Sequence, residues 1–385
     1  MDAVMQAVIG ATLLLFGGGA VVFGVLPGAD ALAIADRVWP ILLFVVAVTV
    51  VAELAAHAGV FDLVAARLAR LSRGRVVVLW LSIVVFAVVV TAFLSLDTTA
   101  VLLTPVVVAV ARSNRLPPLP FAFATVWLAN AASLFLPVSN LTNLLADHRL
   151  GGGAGAFLAL LGPSAVVAVV VTVALLWIWH RRALRGRFTV ARAPRVSDPV
   201  LLRWAAGVLV VMLPLLVSGI PPWIPAVGAA VALALVFAWR SPRFLRFALL
   251  PWQLVVFASG LFLAVGALEA WGLPALLSAA TGTGDGLLEL WRLAGVGAVA
   301  ANVVNNLPAY LALESVADSP VRLAALLIGV GAGPLVSPWA SLATLLWHER
   351  LRALDIEVPW GRYVLAGLVA APVIVAAAVV PLALR

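Results

Sequence analysis

One carboxylate, Asp97, stands in the stretch Ser95-Leu96-Asp97-Thr98-Thr99-Ala100, in the middle of an otherwise apolar run. Ionisable groups buried at such depth in lipid-soluble segments are costly and mark transport pathways. A lone carboxylate in an apolar setting is the chemistry of a proton carrier. The competing reading is an Asp that caps the helix beginning beside it. A second apolar run contains Asn305-Asn306 before Leu307-Pro308. These amides can donate and accept hydrogen bonds to a polyhydroxylated or oxyanionic ligand, or simply hold a turn. Two further runs are interrupted by proline among small polar residues. Asn130, Ser133, Ser139, Asn140, Thr142 and Asn143 surround Pro137; Ser337, Ser341 and Thr344 surround Pro338. Proline removes a backbone donor and clashes with the preceding turn. The flanking Ser, Thr and Asn then either satisfy freed carbonyls or meet a ligand. Taken as a set, Asp97, Thr98, Thr99, Asn130, Ser133, Ser139, Asn140, Asn143, Asn305, Asn306, Ser337, Ser341 and Thr344 are the candidate substrate-binding residues, with Asp97 the proton-coupling one.

Catalysis is not indicated. The chain has no Cys, which excludes thiolate nucleophiles, thiolate metal sites and disulfides. It has no Lys, and its four His are scattered. No Ser–Lys dyad, paired membrane Asp or His/Glu metal motif can be assembled, so neither an enzyme nor a metal or other cofactor is expected.

The elements that must position these residues follow from composition. Of 385 residues, 65% are hydrophobic and 10% charged, against about 45–50% and roughly 25% in soluble domains. A water-soluble enzyme, a nucleic-acid binder and a disordered chain are excluded; most of the surface must face lipid. Runs long enough to cross a bilayer, about 20 apolar residues, cover 7–26, 39–56, 121–145, 157–179, 201–218, 224–239, 250–268, 321–346 and 364–384. Two other stretches, 76–111 and 287–317, break near Ser95–Thr99 and Asn302–Pro308. Each is too short for two crossings at a rise of about 1.5 Å per residue. Each reads as a re-entrant hairpin, entering and leaving on one side.

Net charge is +8, and every basic residue is Arg. The arginines cluster between apolar runs, the pattern of cytoplasmic loops. Arg181, Arg182, Arg185, Arg187, Arg192 and Arg195 mark one such segment; Arg67, Arg70, Arg73 and Arg75, Arg112 with Arg115, Arg240 with Arg243 and Arg246, and Arg350 with Arg352 mark the others. Alternation through the spans places the N-terminus in the cytoplasm, the C-terminus outside, the first hairpin open to the cytoplasm and the second open outward. Phe61–Ser72 reads as an amphipathic interfacial helix, with 272–280 as its counterpart. Glu53 and Glu269 read as interfacial carboxylates, a second proton site being the alternative. Glu314 and Asp318 are expected to face water.

The order span, interfacial helix, hairpin, interrupted span, span occurs twice, from opposite sides of the membrane. This predicts an all-α polytopic protein with an inverted-topology repeat, the architecture of many secondary transporters. Residues 1–179 form a first half with hairpin 76–111 and broken span 119–146. A basic cytoplasmic linker covers 180–200. Residues 201–385 form a second half with hairpin 287–317 and broken span 320–347. Pro137 pairs with Pro338, Asn140 with Ser341 and Asn143 with Thr344. At the hairpin tips Leu96-Asp97-Thr98 is set against Asn305-Asn306-Leu307.

Specific stretches are familiar. Asp97-Thr98-Thr99-Ala100-Val101-Leu102-Leu103-Thr104-Pro105 resembles the first hairpin of the arsenite efflux permease family of the ion transporter superfamily. Ala129-Asn130-Ala131-Ala132-Ser133-Leu134 with Pro137-Val138-Ser139-Asn140-Leu141-Thr142-Asn143-Leu144 resembles its first broken span. Asn305-Asn306-Leu307-Pro308 and Gly333-Pro334…Ser337-Pro338…Ser341-Leu342-Ala343-Thr344 resemble the second hairpin and second broken span. The resemblance implies an elevator-type transporter of the plasma membrane that exports arsenite or antimonite, coupled to the proton gradient. Its partners would be the bilayer, a small inorganic oxyacid and protons; a homodimer and a cytoplasmic ATPase docked on the basic linker stay open. The sodium-coupled dicarboxylate branch carries Ser-Asn-Thr at both tips, which this chain lacks. A sodium- or proton-coupled organic-anion (dicarboxylate or citrate-type) transporter, or a cation/proton antiporter on the same fold, is the alternative.

Overall fold

The computed structural model describes residues 3–191 and 197–384, with side chains from residue 7 onward. Arg192 and Arg195 of the basic linker lie outside the described residues. Among the described residues the architecture is helical, and eight helices are long and apolar enough to cross a membrane.

The chain opens with α1 (Ala3–Val22) and α2 (Gly28–His57), then the short amphipathic α3 (Val60–Leu71). The first hairpin descends in α4 (Val76–Leu94), turns at Ser95, resumes in the single turn α5 (Leu96–Thr98), passes a π-helical turn over Thr99–Leu103 and returns in α6 (Thr104–Ser113). The first broken span is α7 (Leu119–Ala131), irregular turns through Ser139, and α8 (Leu141–Leu150). α9 (Gly153–His180) closes the first repeat; α10 (Pro199–Leu215) and α11 (Trp223–Arg240) link it to the second. The second repeat follows in the same order: α12 (Trp252–Ala270), α13 (Leu273–Thr281), hairpin arms α14 (Leu287–Val304) and α15 (Asn306–Glu314), broken span α16 (Pro320–Ala332) and α17 (Leu342–Arg352), and α18 (Trp360–Ala383). The re-entrant hairpins and discontinuous spans that the hydropathy pattern predicts are therefore present in both halves.

The helices sort into two layers. In one, α1 packs along α12, and α2 packs on α11, α12 and α10. In the other, α4, α6 and α7 pack together, α9 lies on α18, and α14 lies against α16 and α18. Both layers mix helices of the two halves. Contact in the first layer is backbone to backbone. A Cβ on Gly260 would stand 2.4 Å from the Gly10 carbonyl oxygen, and one on Gly10 would stand 2.6 Å from the Phe257 Cα. The second layer repeats the device. A Cβ on Gly329 would reach within 2.2 Å of the Ala294 carbonyl oxygen, and one on Gly367 within 1.9 Å of that of Leu335. Small residues at such crossings let helices approach where lipid supplies no hydrophobic drive between them.

The arginine-rich loops gather at one end. Phe188 N–H donates to the Gly74 carbonyl, Ala191 N–H to the Asn114 side chain, and Arg112 to the Leu354 carbonyl. The opposite end holds a correction to the sequence expectation. Glu314 does not face water: it is buried, ion-paired to Arg37 of α2 and accepting from the Tyr310 hydroxyl at 3.0 Å. Asp318 is exposed and pairs with Arg322 at 2.9 Å.

Candidate functional site

Both hairpins turn on the same unusual residue. Ser95 has φ 98°, ψ 158°, and Asn305 has φ 105°, ψ 155°. That region is close to glycine-only, and each such residue costs on the order of 1–3 kcal/mol, a cost that persists mostly at functional sites. Each caps the helix that follows: Ser95 Oγ accepts from Thr98 N–H and Asn305 Oδ1 from Leu307 N–H. The structural equivalence is thus Ser95 with Asn305, which moves the tip pairing expected from sequence by one residue. At the broken spans Asn140 (φ −151°, ψ 145°) and Ser341 (φ −139°, ψ 136°) hold matching extended positions before α8 and α17, as their sequence pairing requires.

These four turning points converge. A cavity of about 290 Å³ is lined by Ser95, Leu96 and Asp97, by Asn140 and Leu141, by Asn305 and Asn306, and by Ser341 and Leu342. α5, α8, α15 and α17 therefore all begin at the cavity wall. The N–H groups of a helix start carry partial positive charge and favour electronegative ligand atoms. The other layer closes the cavity with apolar side chains, including Phe44 and Val48 of α2 and Phe257 of α12. No arginine lines it; Asp97 is its one ionisable group. Among the buried polar atoms without a hydrogen-bond partner are Asp97 Oδ1, Asn140 Nδ2 and Ser341 Oγ. An acceptor, a donor and a group that can be either are thus left at one cavity.

Of the candidate residues, Asp97, Asn140, Asn305, Asn306 and Ser341 line this cavity, and Thr98 lines a second one beside it. The remainder bond to backbone carbonyls or to neighbouring side chains. Thr99 meets Thr91 at 2.8 Å. Asn130 donates to the Val126 carbonyl and Ser133 to the Asn130 carbonyl. Ser139 donates to carbonyls of the broken turn, and Asn143 Nδ2 donates to the Ser133 and Leu136 carbonyls. Ser337 Oγ donates to the Asn302 carbonyl, and Thr344 pairs with the Tyr363 hydroxyl at 3.3 Å.

Asn302 was not singled out by sequence reasoning. Its Oδ1 accepts from Val336 and Ser337 N–H, and its Nδ2 donates to the Ala298 and Gly333 carbonyls. Asn305 Nδ2 donates to the Trp339 carbonyl, and Asn306 N–H to that of Ala340. Hairpin two and broken span two are thereby one hydrogen-bonded unit. A third Asn three residues before the tip residue Asn305 was the available signal.

Mirrored hairpins, broken spans and a polar pocket between them define a polytopic membrane transporter of the ion transporter fold. A family model described as "Citrate transporter" (CitMHS) matches residues 1–347, and the chain belongs to that family. It is 30% identical to the "Arsenical pump membrane protein" of Escherichia coli over 99% of this chain and 93% of that one. The Yersinia enterocolitica protein of the same description is 31% identical, covering 95% and 91%. These matches place it among the relatives of the arsenical pump membrane proteins. The crystal structure of the Alcanivorax borkumensis YdaH transporter, titled as revealing an unusual topology, aligns with a TM-score of 0.56 at 13% identity, over 99% of this chain and 97% of that one.

Proposed function

We propose that the protein is a secondary transporter that exports a neutral trihydroxy oxyacid, arsenite or antimonite, in exchange for protons. The observation that carries this reading is the lining of the cavity: helix starts, amides and hydroxyls, one carboxylate and no cation. A neutral polyhydroxy acid needs only such hydrogen-bonding groups. A multiply charged carboxylate would meet helix dipoles alone, with Asp97 opposing it, and burying an unpaired charge is expensive. The absence of Cys fits release of arsenic, which thiolates would hold. Asp97 is the proton-coupling group, exchanging its proton for substrate at the meeting point of the helix starts.

In this reading the arginine-rich end is cytoplasmic, by the positive-inside bias. The N-terminus is then cytoplasmic, the C-terminus is outside, and the membrane is the plasma membrane. The description of the matched family favours a second reading, an organic-anion transporter on the same fold.

The test is growth and cellular arsenic in an arsenite-sensitive host, beside growth on citrate or a dicarboxylate. In everted vesicles an imposed proton gradient is expected to drive arsenite accumulation, and Asp97→Asn to abolish it. Full accumulation by Asp97→Asn would remove the coupling role. Sodium-dependent dicarboxylate uptake without arsenite flux would favour the second reading.

A further inference from the structure

The central cavity continues toward the arginine-rich end. A second cavity of about 370 Å³ adjoins it, and Thr49, Asp97, Leu254 and Leu342 line both. Its outer wall is Glu53 of α2, Gln253 at the start of α12 and Glu349 of α17. It extends from the site toward that end of the molecule.

The charge of this cavity is the reverse of its surroundings. It is lined by Asp97, Glu53 and Glu349 and by no arginine. Yet Arg350 and Arg352 share the last turns of α17, and Arg240 ends α11. Among the described residues neither Glu53 nor Glu349 has an ion-pair partner. His57, one turn from Glu53, engages the Glu53 backbone carbonyl, leaving its carboxylate alone. Glu53 is half-buried and Glu349 exposed. Free surface carboxylates are ordinarily just solvated. Two carboxylates standing unpaired in an arginine-rich face, on the wall of a cavity that reaches Asp97, are placed to act on whatever enters it.

We infer that Glu53 and Glu349 are specificity-determining residues: they form an anion-excluding mouth, through which a neutral oxyacid or a cation reaches the site and oxyanions such as phosphate do not. Clefts with low-dielectric walls focus the field of the charges that line them. Each carboxylate is expected to lower the local concentration of a monovalent anion by roughly fivefold, while a neutral species feels almost nothing. Which solute is carried rests on the reading above; the filter itself rests only on the mouth.

The cysteine-free chain provides the test. Thr49→Cys places a single thiol on both cavities. Membrane vesicles exposing the arginine-rich face are treated with a cationic (trimethylammonium-ethyl) or an anionic (sulfonato-ethyl) methanethiosulfonate. In each case the thiolate attacks the thiosulfonate, a mixed disulfide forms and methanesulfinate leaves. Rates are normalised to those with a free thiol. The cationic reagent is expected to react about tenfold faster or more, and Glu53→Gln with Glu349→Gln to lower that ratio at least several-fold. Leu346→Cys supplies a second position should Thr49→Cys fold poorly. A normalised ratio near one in the single-thiol protein, or a ratio unmoved by the double substitution, overturns the inference. In flux assays, phosphate on the arginine-rich side is expected to inhibit arsenite movement several-fold more in the double variant than in the native chain. If charge selectivity of the thiol behaves as stated while no arsenite moves, the proposed substrate fails and the filter stands.

Discussion

Arg37, set into α2, reaches across to Glu314, the last residue of α15, and joins the two helix layers by an ion pair at the end remote from the arginine-rich loops. The same guanidinium donates to the Leu145 carbonyl at 3.1 Å, and Arg149 donates to the Glu314 carbonyl. Helices of both repeats thus meet on one residue, Glu314, at the end opposite the acidic cavity wall of Glu53 and Glu349.

Arg37→Gln is therefore expected to leave the Glu314 carboxylate buried without its counter-charge. Breaking a fully buried pair costs about 3–5 kcal/mol; the 29% exposure of the Arg37 side chain puts the expected loss below that range. Thermal unfolding in detergent should show a lower Tm, with partial recovery in Arg37→Gln/Glu314→Gln. An unchanged Tm in the single variant would mean the pair contributes nothing measurable to stability.

The tips make opposite predictions for two small substitutions. Ser95→Gly relieves a left-handed φ and forfeits a long 3.3 Å cap bond, so stability should hold or rise. Ser95→Val forces a branched side chain into the same conformation and should cost about 2 kcal/mol or more. Denaturation of the purified variants orders them; Val at or above Gly would refute the strain.

Asn302 should be irreplaceable by shape alone. Asn302→Leu removes the acceptor of two N–H groups, at about 1–3 kcal/mol for each buried group left unpaired, and one of the donors to each of two carbonyls. Asn302→Asp keeps the acceptor but loses the donor. Transport and Tm are expected to fall in the order native, Asp, Leu, with hairpin two detaching from broken span two.

Glycines of the layers separate cleanly by contact. Gly329→Ala would drive its Cβ to 2.2 Å from the Ala294 carbonyl oxygen, whereas a Cβ on Gly295, the next residue along α14, meets nothing within 4 Å. Membrane expression should collapse for the first and stay normal for the second, where Ala raises helix propensity over Gly.

Most of the fold was legible because interruptions in apolar runs are loud. Asp97 and the Asn305-Asn306 pair stand deep in apolar runs, and Pro137 and Pro338 stand among Ser, Thr and Asn, so hairpins and broken spans could be located and paired. The tip register was not legible: Ser95 and Asn305 share a backbone conformation, not a residue type. The burial of Glu314 was missed because its partner lies 277 positions away. Read locally, a Glu beside Ser315 and Asp318 at a helix end looks solvated. Within the candidate site, sequence could mark the polar set. It could not divide residues that face the cavity, such as Asn140, from those that stitch broken backbone, such as Asn143, because a turn needs hydrogen-bonding side chains on both sides.

The glycine contacts between α1 and α12 carry a mechanical corollary. α1 comes from the first half of the chain and α12 from the second, and their main chains touch with no side chain between them to act as a bearing. α9 and α18 tie the halves together again in the other layer. The two halves consequently cannot part like jaws about a central hinge. Any stroke that exposes Asp97 alternately to either aqueous phase must run along the seam where α2 and α12 face α8 and α15.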